Sequence, residues 1–413
     1  MYETEICTGD EWLQKVLQLK QVMEMRHGVM LVGSVASGKS SALRVLLDSL
    51  ESLDGIKGDL YIIDPKAVTK SHLYGELDST TMEWTDGIFT LIIRQIILNQ
   101  KGERDHRHWV VFDGDIDPDW AENLNSVLDD NMILTLPSGE RLEIPRNVRV
   151  ILEVDTLTHA TPATVSRCGL VWMSEDTIHD DMRLAHLFNT LSLKMNNQEG
   201  YFESDDSKLF LEAIKPMIIA TDGGSSLVSH ALEFALNACH VMTVTRERLL
   251  TGLKALISRG LDMVREYNES HPDFPMDGDH MVMFARRWLL HSILWSFGGS
   301  CSWPVREQFN HFLCRIGSEF IPCDVETNLF DYRVKVENGE YETWSSCVPR
   351  VEVEYHRLMD ADIVVPTTDT IRNTDIVQSF ITSRLPLIRK LYAALSKPFL
   401  KLFLSRGLHS FSC

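Results

Sequence analysis

"GVMLVGSVASGKSSALRVLLDSL" occupies residues 28–50, and its reading decides the fold. An apolar run leads into "GSVASGKS" (33–40), which fits G-x-x-x-x-G-K-[ST] in full, and an amphipathic stretch follows at helical spacing. Strand, glycine-rich turn and helix in that order aim backbone N–H groups and a helix N-terminus at phosphate oxygens. Gly33 and Gly38 permit the turns, Lys39 is placed to reach β- and γ-phosphates, and the Ser40 hydroxyl is the Mg²⁺ ligand. Ser34, Ser37 and Ser41 belong to the same phosphate cradle.

Outward from this loop, short apolar runs recur at "LYIID" (60–64), "WVVFD" (109–113), "VRVILEV" (148–154) and "GLVWM" (169–173). "SSALRVLLDSLESL" and "DGIFTLIIRQIILNQ" lie between them with the length and spacing of helices. Strands alternating with helices predict an α/β unit with a parallel sheet covered on both faces. "MILTLPSGERLEIPRNVRV" interrupts the pattern and reads as a β-hairpin around Pro137-Ser138-Gly139. Beyond Asp176 the reading turns helical, through "DDMRLAHLFNTLSLKM", "HALEFALNACHVMTVTRERLLTGLKALISRGLDMVREY" and "HMVMFARRWLLHSILWSF", with the acidic loop "HPDFPMDGD" dividing the last two. The expected organisation is a helical lead-in (1–27), an α/β nucleotide-binding domain (28–180), a helical lid (181–300), a mixed region (301–385) and a tail (386–413).

Composition narrows the partners. The 40 basic and 59 acidic residues leave a net charge of −19, which argues against broad binding of nucleic acid or an anionic membrane. No apolar run reaches the length that spans a bilayer. The 8 cysteines are scattered without a CxxC pair, as expected of reduced thiols in a cytosolic protein, and the spacing of Cys301, His311, Cys314 and Cys323 fits no paired-ligand zinc pattern.

Asp113 closes a buried-looking strand where a second metal-linked carboxylate belongs. Hydrolysis needs in addition a group that activates or positions water, and the next residue is Gly114. Asp115 and Asp117 are close in sequence, but a strand that ends at Asp113 does not assure that they point back; Glu153 and Asp155, near the end of the next strand, are alternatives for which solvated loop-edge roles are the simpler expectation.

Longer stretches are more specific. "IIDPKAVTKSHLYGELDSTTMEWTDGIFT", "VVFDGDIDPDWAENLNSVLDDNMILTLPSGERLEIPRNVRV" and "ATPATVSRCGLVWMSED" resemble the second AAA+ module of a dynein heavy chain, the cytoplasmic type most closely. The resemblance covers about residues 1–385. It implies an AAA+ P-loop module that holds ATP (or ADP) with Mg²⁺ between Ser40 and Asp113 without turning it over. It implies an arginine finger, Arg167, acting in trans on the preceding module, and a sensor arginine in the lid at Arg286 or Arg287. It further implies a ring of neighbouring AAA+ modules in a cytoplasmic, cytoskeletal motor, with dynein intermediate and light chains and microtubules reached only through the full heavy chain. Nucleic acid and membrane are not expected partners. The final "RKLYAALSKPFLKLFLSRGLHSFSC" departs from the family pattern, in which another phosphate loop should follow, as a fragment, an altered reading frame or a truncated product would each explain.

Overall fold

Near-continuous apolar runs such as "GVMLV" and "VRVILEV" suit only strands buried on both faces. In the computed structural model they form the middle of one parallel sheet. It describes residues 10–78, 80, 83–99, 106–197, 205–220, 225–321, 328–349 and 366–383. The expected tail, 386–413, and Cys323 lie outside the described residues. The chain divides into two compact units, the first ending at Met182 and the second starting at Arg183.

The first unit holds strands β1 (Gly28–Val32), β2 (Gly58–Ile63), β3 (Gly75–Leu77), β4 (Trp84–Asp86), β5 (Arg107–Asp113), β6 (Ile133–Thr135), β7 (Arg141–Glu143), β8 (Val148–Val154) and β9 (Gly169–Trp172). Five of them pair in parallel in the order β2-β5-β8-β1-β9. Every residue of β1 is buried, whereas β2, at the edge, has only half-buried and exposed positions before the buried Ile63. The strand order puts β1 between β8 and β9, with Val32 in register with Val154 on one side and Trp172 on the other. Chain reversal around β1 creates the crevice at the carboxyl ends of the strands in which α/β sheets bind ligands.

Helix Lys39–Asp54 covers the sheet with Ala42, Leu43, Leu46 and Leu47, the i, i+3, i+4 stripe of an amphipathic helix, and stops at Gly55 in the left-handed region. The lead-in helix Asp10–Met25 buries Trp12, Val16, Leu19 and Met23 and belongs to the same unit. The hairpin expected around Pro137-Ser138-Gly139 is β6–β7, turning at Gly139 with φ 84°. A second antiparallel hairpin, β3–β4, follows "DPKAVTKSHLYG". Between hairpins and sheet, Phe112 stacks on Trp120 at 5.3 Å and meets the edge of Phe89 at 5.3 Å.

The second unit gathers the helices Asp205–Ile218, Leu227–Asn237, Arg246–Ser270, Gly278–Gly298, Trp303–Ile316 and Thr368–Thr382 with the small hairpin β10 (Tyr332–Val334) and β11 (Tyr341–Thr343). Helix Gly278–Gly298 is its axis, buried nearly all round through residues such as Phe284, Trp288 and Leu294. The long helical reading over 230–267 is corrected here: the helix ends at Asn237 and a new one starts at Arg246. Thr245 explains the break, because its hydroxyl accepts the Arg248 N–H and caps a fresh N-terminus. His240, in the interruption, hydrogen-bonds Ser300 and the Ala235 carbonyl instead of continuing the helix. Among the described residues no helix is long and apolar enough to cross a membrane.

The Tyr74 hydroxyl donates to the Trp120 carbonyl at 2.7 Å in the buried layer between sheet and hairpins. Tyr74→Phe removes that donor and leaves the carbonyl unpaired, which should cost about 1–3 kcal/mol in urea unfolding. A loss below about 0.5 kcal/mol would show that the carbonyl finds another partner.

Candidate functional site

The turn after β1 holds two left-handed residues, Ala36 at φ 64° and Gly38 at φ 88°. Alternating left- and right-handed positions point successive N–H groups into one concavity, an anion nest. Alanine is uncommon in that region, so the loop is held there by its surroundings. Gly38 also caps helix Lys39–Asp54 without a side-chain hydrogen bond, leaving the first-turn N–H groups facing the nest. At Gly33 a Cβ would sit 2.1 Å from the Met173 carbonyl oxygen, so only hydrogen fits.

Side chains complete the cradle. The Ser34 and Ser37 hydroxyl oxygens are buried and have no hydrogen-bond partner among the described residues. Buried hydroxyls are normally satisfied, and two orphans in one phosphate-type loop fit a ligand that supplies acceptors. Lys39, 6% exposed, donates its ammonium to the carbonyls of Gly33 at 2.5 Å and Ser34 at 2.9 Å, with Asp155 at 3.3 Å. The cation is therefore fixed at the loop by short contacts. Ser41, on the first turn of the same helix, is exposed.

Asp113 ends β5 at an exposed position and is in register with Glu153 of the neighbouring β8. Ser40 Oγ donates to Glu153 Oε1 at 2.6 Å. The expected loop-edge role for Glu153 is corrected: it is 6% exposed, inside the sheet's carboxyl edge. Burial raises its carboxyl above the ordinary range, Ser40 opposes this by hydrogen bonding, and the charge of Asp113 adds to the rise. The strand pattern alone hid this residue. What places it beside the phosphate loop is that β8 lies between β5 and β1, and strand order is a tertiary property. A hydroxyl and two carboxylates are hard oxygen donors of the kind Mg²⁺ takes.

The residues near Gly114 supply little basicity. Gly114 sits at φ 146°, a backbone angle that L side chains rarely adopt, and donates its N–H to the Glu153 carbonyl at 3.0 Å. Asp115 pairs with Lys66 at 2.6 Å, whose hydrogen bond and charge hold its carboxyl below the usual range and make it a weaker base. Asp117 is committed to capping helix Pro118–Ala121 by accepting the Asp119 N–H.

Arg167 ends helix Pro162–Arg167, which Thr161 caps. Its Nε donates to Asp129 at 2.6 Å and one Nη to the Ala163 carbonyl at 2.9 Å. Asp129 immediately precedes the β6–β7 hairpin, and its carbonyl accepts the Met132 N–H. In the second unit, Arg287 donates to the carbonyls of Phe320 at 3.2 Å and Gly339 at 2.9 Å and lies over the Tyr341 ring. The Arg286 guanidinium lies over the Phe320 ring, 5.6 Å from its centroid.

Comparison with known proteins agrees with this layout. Residues 28–168 match the AAA domain (dynein-related subfamily) and residues 223–346 match the dynein heavy chain AAA lid domain. A cytoplasmic dynein heavy chain of Neurospora crassa is 41% identical over 94% of this chain and 9% of its own length. That of Drosophila melanogaster is 40% identical over 92% and 8%, and that of Dictyostelium discoideum 38% over 94% and 9%. The chain thus spans about a tenth of the relatives it matches. A sheet bearing a phosphate loop, followed by this lid, places the chain in the dynein heavy chain family as one AAA module with its lid.

Proposed function

We propose that this module holds ATP with Mg²⁺ and does not hydrolyse it, acting as a structural and communicating member of a dynein ring. One observation carries the reading: a complete phosphate loop with orphaned serine hydroxyls stands beside Asp113, and the residue after Asp113 is a glycine in a conformation suited to glycine. The N–H groups of the nest and the hydroxyls of Ser34 and Ser37 bind phosphate oxygens. Lys39 exchanges its two loop carbonyls for the β- and γ-phosphates. Ser40, released from Glu153, and Asp113 would be the side chains that hold the metal, one through a hydroxyl oxygen and the other through a negative carboxylate. Bound Mg²⁺ would neutralise phosphate charge.

Arg167 would serve the preceding module by leaving Asp129, since a planar, permanently charged guanidinium suits developing phosphoryl charge. In the lid, Arg286 is the better sensor candidate, because Arg287 already spends donors on two backbone carbonyls. Motor activity, microtubule engagement, contact with intermediate and light chains and a cytoplasmic location belong to the whole heavy chain and extend to this segment only by that membership. A rival reading makes the module a self-sufficient ATPase with Glu153 as base, and the raised carboxyl of Glu153 favours it. Weighing against it, Glu153 is already engaged by Ser40, the residue proposed to hold the metal.

Purified protein should retain ATP, and phosphate release in a single turnover should stay at background. Lys39→Ala should weaken ATP binding by about 10- to 100-fold, the worth of charge-assisted hydrogen bonds. Phosphate release above background that Lys39→Ala abolishes would favour the rival reading.

Gly114→Glu should not create an ATPase. It should lower unfolding stability by about 1–3 kcal/mol, because the φ of 146° strains any L residue. Fast turnover in this variant would show that only a side chain was missing.

For Glu153 the sign follows from burial. Its folded carboxyl titrates above the unfolded one, so its contribution to stability is full below the unfolded value and is lost as pH rises through the folded one. In nucleotide-free protein, Glu153→Gln should therefore gain thermal stability relative to wild type as pH rises from the acid range to neutrality. A difference that does not change with pH would refute this.

A further inference from the structure

At the other end of the same two strands lies a cluster that the nucleotide site does not use. Asp59 on β2 is in register with His108 on β5, and His106, just ahead of β5, brings its ring within 4.9 Å of that of His108. One ligand atom from each lies within 4.8 Å of the others. His106 Nε2 is 2.8 Å and His108 Nδ1 3.6 Å from the same oxygen, Asp59 Oδ2. The Tyr61 hydroxyl, next along β2 on the same face as Asp59, is 3.4 Å from both His108 Nδ1 and Asp59 Oδ2.

We propose that Asp59, His106 and His108 form a binding site for a divalent transition ion of the zinc class. An ion with bonds of about 2.0–2.1 Å in tetrahedral geometry separates its ligand atoms by about 3.4 Å. The two separations from Asp59 Oδ2 bracket that value and all three atoms lie within 4.8 Å, so side-chain rotation that draws the imidazoles together would complete the tripod. Two imidazoles and a carboxylate are borderline donors that favour zinc, nickel or copper over the hard ions Mg²⁺ and Ca²⁺. Solvent access is graded: the side chain of His108 is 9% exposed, that of His106 16% and that of Asp59 51%, which gives an anchored ligand, an intermediate one and an open side for a water. Tyr61 is placed to hydrogen-bond such a water or the carboxylate, the outer-shell role that orients ligands.

The site is separate from the phosphate loop. His108 and Asp113 are at opposite ends of β5, about 16 Å apart at strand rise, and Asp113 is the residue on the nucleotide side. A bound ion would clip edge strand β2 to β5 at their amino ends. It would stabilise the sheet without entering phosphate chemistry.

The test is metal titration of the full chain after chelator treatment, with zinc competing against a chromophoric chelator and cobalt as a spectroscopic probe. One equivalent of zinc should bind at micromolar affinity or tighter, unaffected by Lys39→Ala or by millimolar Mg²⁺. His106→Gln and Asp59→Asn, both away from the buried ligand, should each weaken it by more than about 100-fold, beyond the loss typical of outer-shell changes. X-ray absorption on zinc-loaded wild type needs no variant and should show imidazole nitrogen and oxygen ligands. Sulfur ligands, thiolate-to-cobalt charge-transfer bands, affinity unchanged in both variants, or binding no tighter than millimolar would each overturn the assignment.

Discussion

Parallel pairing of β1 with β8 is the constraint on which the rest of the site depends. It sets Val32 beside Val154 and lets the Gly33 N–H donate to the Val154 carbonyl at 3.1 Å, so the phosphate loop begins at a fixed point on a rigid edge. The pairing of β8 with β5 then sets Glu153 opposite Asp113. Ser40, one residue into the helix that the loop launches, meets Glu153 at 2.6 Å. Two strand registers and one helix start thus converge hydroxyl, carboxylates and ammonium. A one-residue slip of β8 would turn Glu153 to the other face and dissolve the arrangement.

Close approach at the loop has its own requirement. Gly33 faces the Met173 carbonyl, and Met173 in turn donates its N–H to the Val32 carbonyl, so β9 presses against the loop from the side opposite β8. Gly38 faces the Trp12 ring of the lead-in helix at a distance that a Cβ would violate. The loop is therefore wedged between backbone and ring. This accounts for how Ala36 is kept at φ 64°, a conformation that such a residue does not choose alone.

What the sequence made legible were features with local periodicity or spacing. The five strands, the β6–β7 hairpin, the phosphate loop and Asp113 all follow from short-range patterns, and they were readable. Partnerships made across the chain were not. Glu153 is unremarkable in "VRVILEV" and becomes part of the site only because β8 lies between β5 and β1. The partner of Arg167 was likewise out of reach, because Asp129, from the segment before the hairpin, supplies its carboxylate across 38 residues of chain. The break at 238–245 was hidden because apolar residues keep helical spacing through it, while the cap at Thr245 and the bonds of His240 decide the outcome.

The two ends of Arg167's environment bear on how such a module passes information. Its Nε is bound to Asp129, and Asp129 also accepts the Met132 N–H at the base of β6–β7. A half-exposed pair of this kind is still screened by solvent and worth little in stability, on the order of 1 kcal/mol, so the arginine is held without being trapped. Whatever displaces the hairpin base shifts Asp129 and changes the availability of the guanidinium. Whatever draws the guanidinium away removes one restraint on the hairpin. Coupling of this sort is reciprocal by thermodynamic necessity, and it requires no chemistry at the module's own phosphate loop. Under the function proposed above, the sheet edge that carries Gly114 would do the holding, and Arg167, at the end of helix Pro162–Arg167, would be the part that responds.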